Sequence, residues 1–171
     1  SSVGRLFDAA AFLLGLADFN SHQGRCAMAL ESAARRALKS QIEPLVMSFR
    51  QKEAQEAGRH VTLFDPAPLW SVLCQAGKRG AAGTFSDKVS AAALGFHEAL
   101  AQMVAAMAEK VDMAQVVLGG GCFANAILLQ RCCTLLQKKG FRVYYNEKVP
   151  PGDGGISLGQ AYYGVLKDSE Q

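Results

Sequence analysis

Apolar positions recur at helical spacing through most of the first two thirds of the chain. Leu6, Ala9, Ala10, Leu13, Leu14 and Leu16 fit one face of a helix, with Ser1 or Ser2 as its N-cap and a stop near Gly15. Residues 22–52 read as a second, longer helical region. It carries Met28, Ala29, Leu30, Ala33, Ala34 and Ala37, with Glu31 and Arg35 as a favourable i,i+4 pair and Pro44 as a break or restart. Residues 51–60 are polar, contain Gly58, and read as an exposed connection. Residues 61–64 fit either a short strand or an apolar staple ahead of the next helix. That helix starts at Asp65-Pro66, takes its apolar face from Leu69, Trp70, Val72, Leu73 and Cys74, and ends at Gly77. Ser86 caps a long helix in which Val89, Ala93, Phe96, Leu100, Val104 and Met107 form one stripe.

From residue 112 the period changes. The apolar run 116–118 reads as a buried strand ending in Gly119, Gly120 and Gly121. Residues 125–138 read as a helix closed by Gly140, and 141–145 as another strand. Two strands bracketing one helix are parallel neighbours joined by a right-handed crossover. Pro150, Pro151 and Gly152 then form an irregular loop carrying Asp153, and Gly154 and Gly155 precede a final helix through Leu158, Ala161, Tyr162 and Val165. The fold class is α/β, with a helical segment over 1–111 and a strand-helix-strand-helix unit over 112–171.

Composition narrows the function classes. With 171 residues, half of them hydrophobic and 19% charged, a sizeable core is expected. A net charge of +3 gives no argument for nucleic acid or an acidic membrane surface. The five cysteines, Cys26, Cys74, Cys122, Cys132 and Cys133, show no CxxC spacing and read as reduced, mostly buried thiols of a cytosolic protein. No stretch reads as long and apolar enough to span a bilayer, and the chain opens without an initiator methionine or a basic-then-apolar leader.

The glycine loop is the chief chemical candidate. A strand that delivers glycines to a helix N-terminus exposes unpaired N–H groups and a positive dipole end, a setting for phosphate; a ligand-free tight turn has the same sequence. Both this loop, with Asn125, and the Asp153 loop fall at the carboxyl edge of the parallel strands, where α/β sheets place ligands. Asp153 fits a metal or ligand contact and fits turn formation equally well. Asp8 reads as a solvated helix carboxylate, Lys78 and Arg79 as a solvated basic loop, His97 as a structural histidine, and Cys122 as a packed small side chain.

Three blocks carry a family resemblance: Ser-Ser-Val-Gly-Arg-Leu-Phe-Asp-Ala at 1–9, Leu-Gly-Gly-Gly-Cys-Phe-Ala-Asn at 118–125, and Val-Pro-Pro-Gly-Asp-Gly-Gly-Ile-Ser-Leu-Gly-Gln at 149–160. Phe-His-Glu-Ala-Leu-Ala at 96–101 fits as well. The chain resembles the C-terminal lobe of the HypF-type hydrogenase maturation carbamoyltransferases, and more distantly the tRNA threonylcarbamoyl-adenosine transferases. The resemblance implies part of an actin/Hsp70-like ATPase (RNase H-like) lobe with a large helical insertion, read as a fragment of a larger enzyme. It implies nucleotide or acyl-adenylate contacts at Asp8, Gly24, Gly119, Gly120, Gly121 and Asn125. It makes Asp153 a ligand of a divalent metal, iron or zinc, completed by histidines of a His-x-x-x-His motif outside this chain. His22, His60 and His97 provide no such motif. Gln23 stands where the family has an acid, Arg25 where it has a glutamine, and a third glycine where the loop more often begins with serine.

The implied reaction has two stages. Carbamoyl phosphate and ATP yield carbamoyl-adenylate elsewhere in the full protein, and this lobe passes the carbamoyl group to the C-terminal cysteine of a HypE-type partner during [NiFe]-hydrogenase maturation. The expected setting is cytoplasmic, without nucleic acid or membrane partners, and the chain alone is expected to be inactive. The alternatives are a tRNA threonylcarbamoyl transferase or sugar-kinase relative on the same scaffold, and a non-catalytic nucleotide-binding or docking subdomain.

Overall fold

The computed structural model describes residues 2–56, 58–77, 86–111 and 113–168. Among these residues ten helices and strands follow one another: α1 (Val3–Leu13), α2 (Arg25–Lys39), β1 (Arg50–Glu56), β2 (Arg59–Asp65), α3 (Ala67–Ala76), α4 (Asp87–Glu109), β3 (Gln115–Leu118), α5 (Ala126–Lys138), β4 (Arg142–Tyr145) and α6 (Ile156–Asp168).

The core is organised around α4. The Ser86 side chain accepts from Val89 N at 3.2 Å and so caps it, as its sequence predicts. Ala91, Ala92, Ala93, Gly95, Ala99, Ala101 and Ala105 keep the helix slim, and neighbours approach it from several sides. Helices α2, α3 and α5 pack on α4, and α1 packs on α2 and α3. Phe7, Leu30, Leu69, Leu73, Leu94, Phe96, Leu100 and Leu136 are fully buried. Each contributes about 1.5–3 kcal/mol of burial relative to exposure. Arg36 ties α2 to α4 through Ser90 Oγ at 3.0 Å and Asp87 at 2.9 Å, and Arg131 ties α5 to α4 through Glu98 at 2.9 Å. By length and composition α4 is also apolar enough to cross a membrane, against the sequence reading; it is mostly buried as the core helix.

Two stretches of 1–111 depart from the expected reading. Helix α2 stops at Lys39, five residues before Pro44, where Gln41 takes φ 54°. The chain then runs extended across α4, with Leu45 N bonded to Ala91 O at 3.0 Å. Gly95 makes this possible, because a Cβ there would lie 2.0 Å from Leu45 O. Next comes an antiparallel hairpin, β1–β2, running from the Arg50–Asp65 pair to Glu56–Arg59. The polar connection expected over 51–60 is therefore mostly strand. Its strands are held by their ladder and by polar pairs such as Thr62–Glu53, Lys52–Asp65 and Lys110–Glu53. A ribbon with so little buried surface has no apolar alternation to announce it. The apolar residues 61–64 do lie in a strand.

The α/β part follows its sequence closely. β3 and β4 are parallel, registered Gln115–Arg142 to Leu118–Tyr145, and α5 crosses between them, closing at Gly140 with φ 90°. Helix α6 lies where the sequence places a final helix; it has no buried residue, and Ile156, Leu158, Tyr162, Tyr163 and Val165 are exposed. Val117, Tyr144 and Tyr145 of the two strands are exposed too.

Candidate functional site

Two glycine loops meet at the carboxyl ends of β3 and β4. Leu118 is buried, and the chain leaves it through Gly119 and Gly120, the latter at φ 98°. A short 3-10 turn, Gly121–Ala124, then leads to Asn125, whose Oδ1 accepts from Leu128 N at 2.9 Å and caps α5. From the other side, Pro151 O accepts from Gly120 N at 2.7 Å. A Cβ on Gly152 would lie 3.2 Å from Gly121 Cα, so the two loops touch backbone to backbone. A Cβ on Gly119, Gly120 or Gly121 would meet nothing within 4 Å. The loop thus presents bare backbone to open space beside a helix N-terminus, a geometry suited to a phosphate or another anion.

Asp153 begins the 3-10 turn Asp153–Gly155 that feeds α6. Its side chain is exposed. Among the described residues no three His, Cys, Asp or Glu side chains converge on a point that could hold a metal ion. Asp153 offers one carboxylate, which alone is not a metal site.

Asn125 is buried, and behind it lies His97, a residue the sequence reading left without chemistry. His97 is fully buried in α4; its Nδ1 is 2.7 Å from Ala93 O and its Nε2 is 2.9 Å from Asn125 Nδ2. Phe7 of α1 meets its ring edge-on at 5.5 Å. Burial holds the imidazole neutral, with its pKa down at about 4, and the nearby Arg131 charge acts in the same direction. The one signal in the sequence is His97's place beside Phe96 in the core stripe. Its partner stands 28 positions away.

Asp8 is tied to the first turn of α2, two residues beyond Gly24. Asp8 Oδ1 accepts from Asn20 Nδ2 at 2.8 Å, and Asn20 Oδ1 accepts from Cys26 N at 3.0 Å in the first turn of α2. Asp8 Oδ2 is shielded from solvent and receives no well-aligned hydrogen bond; the exposed Arg5 guanidinium lies 2.9 Å away as its charge partner. Gly24 precedes α2 at φ 81°, and a Cβ there would also meet open space. Asn20, which joins Asp8 to Cys26 N, escaped the sequence reading because its role depends on tertiary contacts. Phe7, adjacent to Asp8, is the link to the glycine-loop side through His97. Arg25 turns away, donating to Phe19 O at 2.9 Å and lying over the Phe19 ring.

Burial raises the pKa of the Cys122 thiol in the glycine loop and pushes that of Cys132 up to about 12. Such thiols are poor nucleophiles at neutral pH. Cys26 and Cys132 are buried, Cys122 and Cys133 half-buried, and Cys74 exposed; all five are free thiols. Lys78 and Arg79 lie outside the described residues.

Residues 1–160 match the family model for the carbamoyltransferase Kae1-like domain, second subdomain. The chain is 32% identical over 160 residues to carbamoyltransferase HypF of Synechocystis sp., covering 94% of this chain and 19% of that protein. It is 35% identical over 172 residues to HypF of Rhodobacter capsulatus, covering 98% and 20%. Among solved structures it superposes on full-length HypF in its phosphate- and nucleotide-bound form with a TM-score of 0.71 and 34% identity, over 94% of this chain and 20% of that one. The chain spans about a fifth of the length of these relatives.

Proposed function

This chain belongs to the HypF carbamoyltransferase family, as the second subdomain of the Kae1-like domain, and on that premise we propose that it serves the carbamoyl-transfer step of a full-length HypF-type enzyme. The observation that carries the reading is the loop Gly119–Gly121, bare of side chains and tied to the second loop by the Gly120–Pro151 bond, beside the Asn125-capped N-terminus of α5. Gly119 and Gly121 offer backbone to the phosphate of carbamoyl-adenylate, Gly120, whose N–H is held by Pro151 O, keeps side chains out of its approach, and the start of α5 adds favourable potential. Asp8, tied through Asn20 to Cys26 N in the first turn of α2, and Gly24 just before that helix fit contacts to the remainder of the nucleotide. Asp153 supplies one carboxylate towards a divalent metal, iron or zinc, whose other ligands are histidines outside this chain. A bound metal would supply Lewis-acid polarisation of the carbonyl or phosphate oxygens.

The acceptor is the C-terminal cysteine of a HypE-type partner. Its thiolate attacks the carbamoyl carbon, a C–S bond forms, the C–O bond to the adenylate phosphate breaks, and AMP leaves with the electron pair. None of this chain's cysteines is assigned the role of nucleophile, in keeping with the raised pKa of Cys122. Carbamoyl-adenylate itself comes from carbamoyl phosphate and ATP at another domain, so the 171-residue chain alone transfers nothing. The setting is cytoplasmic.

The test uses two substitutions in the full-length enzyme. Asp153→Ala lowers metal content and carbamoylation of the HypE thiol while adenylate formation continues. Asn125→Asp sets a carboxylate in a place suited to anions and weakens ATP binding measured by calorimetry. Normal metal content with normal transfer in the first variant leaves Asp153 a turn residue; unchanged affinity in the second leaves Asn125 a helix cap.

A further inference from the structure

The buried His97–Asn125 pair has a defined proton arrangement. The Ala93 carbonyl can only accept, so His97 Nδ1, 2.7 Å away, carries the ring proton. In a neutral imidazole Nε2 is then a bare lone pair, and it faces Asn125 Nδ2, which only donates, at 2.9 Å. At the other end of the same amide, Oδ1 accepts from Leu128 N at 2.9 Å. Turning the amide over would set oxygen against the Nε2 lone pair and nitrogen against the Leu128 N–H, replacing two attractions by two repulsions. The ring cannot easily adjust, because Phe7 and Phe96 meet it edge-on at 5.5 and 6.1 Å.

We propose that His97 is a positioning residue for the glycine-loop site: acting through Asn125, it fixes the amide so that the group left over is an N–H donor, suited to a phosphoryl or hydroxyl oxygen. This rests on the reading of Asn125 as a nucleotide contact. His97 touches no substrate. It selects the orientation of the group that does, and Ala93, one turn earlier on the same helix, selects the tautomer of His97.

The experiment is ATP titration by calorimetry on the full-length enzyme. His97→Phe keeps the ring volume and removes the acceptor; it weakens ATP binding about tenfold, the scale of one buried donor left unpaired. His97→Gln, whose Oε1 can accept from Nδ2, restores affinity to within about threefold. Asn125→Ser keeps the α5 cap and deletes the amide; it weakens ATP binding by itself, and adding His97→Phe to it costs nothing more. If Asn125→Ser leaves ATP affinity unchanged, the nucleotide reading falls and this inference with it. Weakening by Asn125→Ser but none by His97→Phe overturns the positioning role alone. So does equal loss in His97→Phe and His97→Gln, or a His97→Phe loss that persists in the Asn125→Ser background, since His97 would then be a packing residue. Should His97→Phe not fold, nitrogen NMR of the histidine-labelled wild type decides: a protonated Nδ1 with a bare Nε2 supports the arrangement, and the opposite tautomer refutes it.

Discussion

Acidification should destabilise this protein through one residue, well before its carboxylates are protonated. An unfolded histidine titrates near 6.5, whereas buried His97 holds its pKa at about 4. Between those values the unfolded chain binds a proton at this position and the folded chain does not. Stability therefore falls as pH drops through this window, by about 1.4 kcal/mol per pH unit, and about 3 kcal/mol is lost by its lower end. Above pH 6.5 both states are neutral here and the effect vanishes. The carboxylates of Glu53 and Asp65, held low chiefly by hydrogen bonds from Lys110 and from the Ala67 N–H respectively, act in a lower window. Urea unfolding of the 171-residue chain, followed by the fluorescence of its single tryptophan, Trp70, measures the loss. Going from pH 7 to pH 5 should lower the wild-type midpoint by about 1 M more than that of His97→Gln, for a typical urea dependence. Parallel midpoints in the two proteins across this range would refute the buried neutral ring.

Other substitutions test the packing. Gly95→Ala drives a methyl into the Leu45 carbonyl, a backbone atom that cannot swing away; it should cost about 3 kcal/mol and lower Tm by about 10 °C in a thermal melt. Ser86→Ala removes the α4 cap and should cost about 1 kcal/mol, or about 3 °C by the same measurement.

What could be read from the sequence was what periodicity and local chemistry determine. The α4 stripe, the Ser86 cap and the β3–α5–β4 order follow from spacing and from residues adjacent in the chain. The β1–β2 hairpin stayed hidden because Arg50–Glu56 is polar on both faces and gains its partner only by folding back. The candidate site divides in the same way. The glycine loop and Asn125 announce themselves as a strand-to-helix passage. His97 and Asn20 do not, since their partners are brought close only by the packing of α4 on α5 and of α1 on α2. The exposure of α6 was equally invisible, because an apolar stripe in sequence marks a surface suited to burial and does not identify what lies against it.

The bond from Gly120 N to Pro151 O has a consequence for how this edge tolerates mutation and transmits force. It joins two loops 31 positions apart using main-chain atoms only. A side chain changed at residue 151 leaves the acceptor in place, and at residue 120 only proline deletes the donor, while other residues strain φ at 98°. The joint therefore survives drift in most of the surrounding sequence. It also makes the loops one mechanical unit: displacing Gly120 by a ligand pulls on Pro151, two residues from Asp153, with no side-chain relay to be tuned or lost.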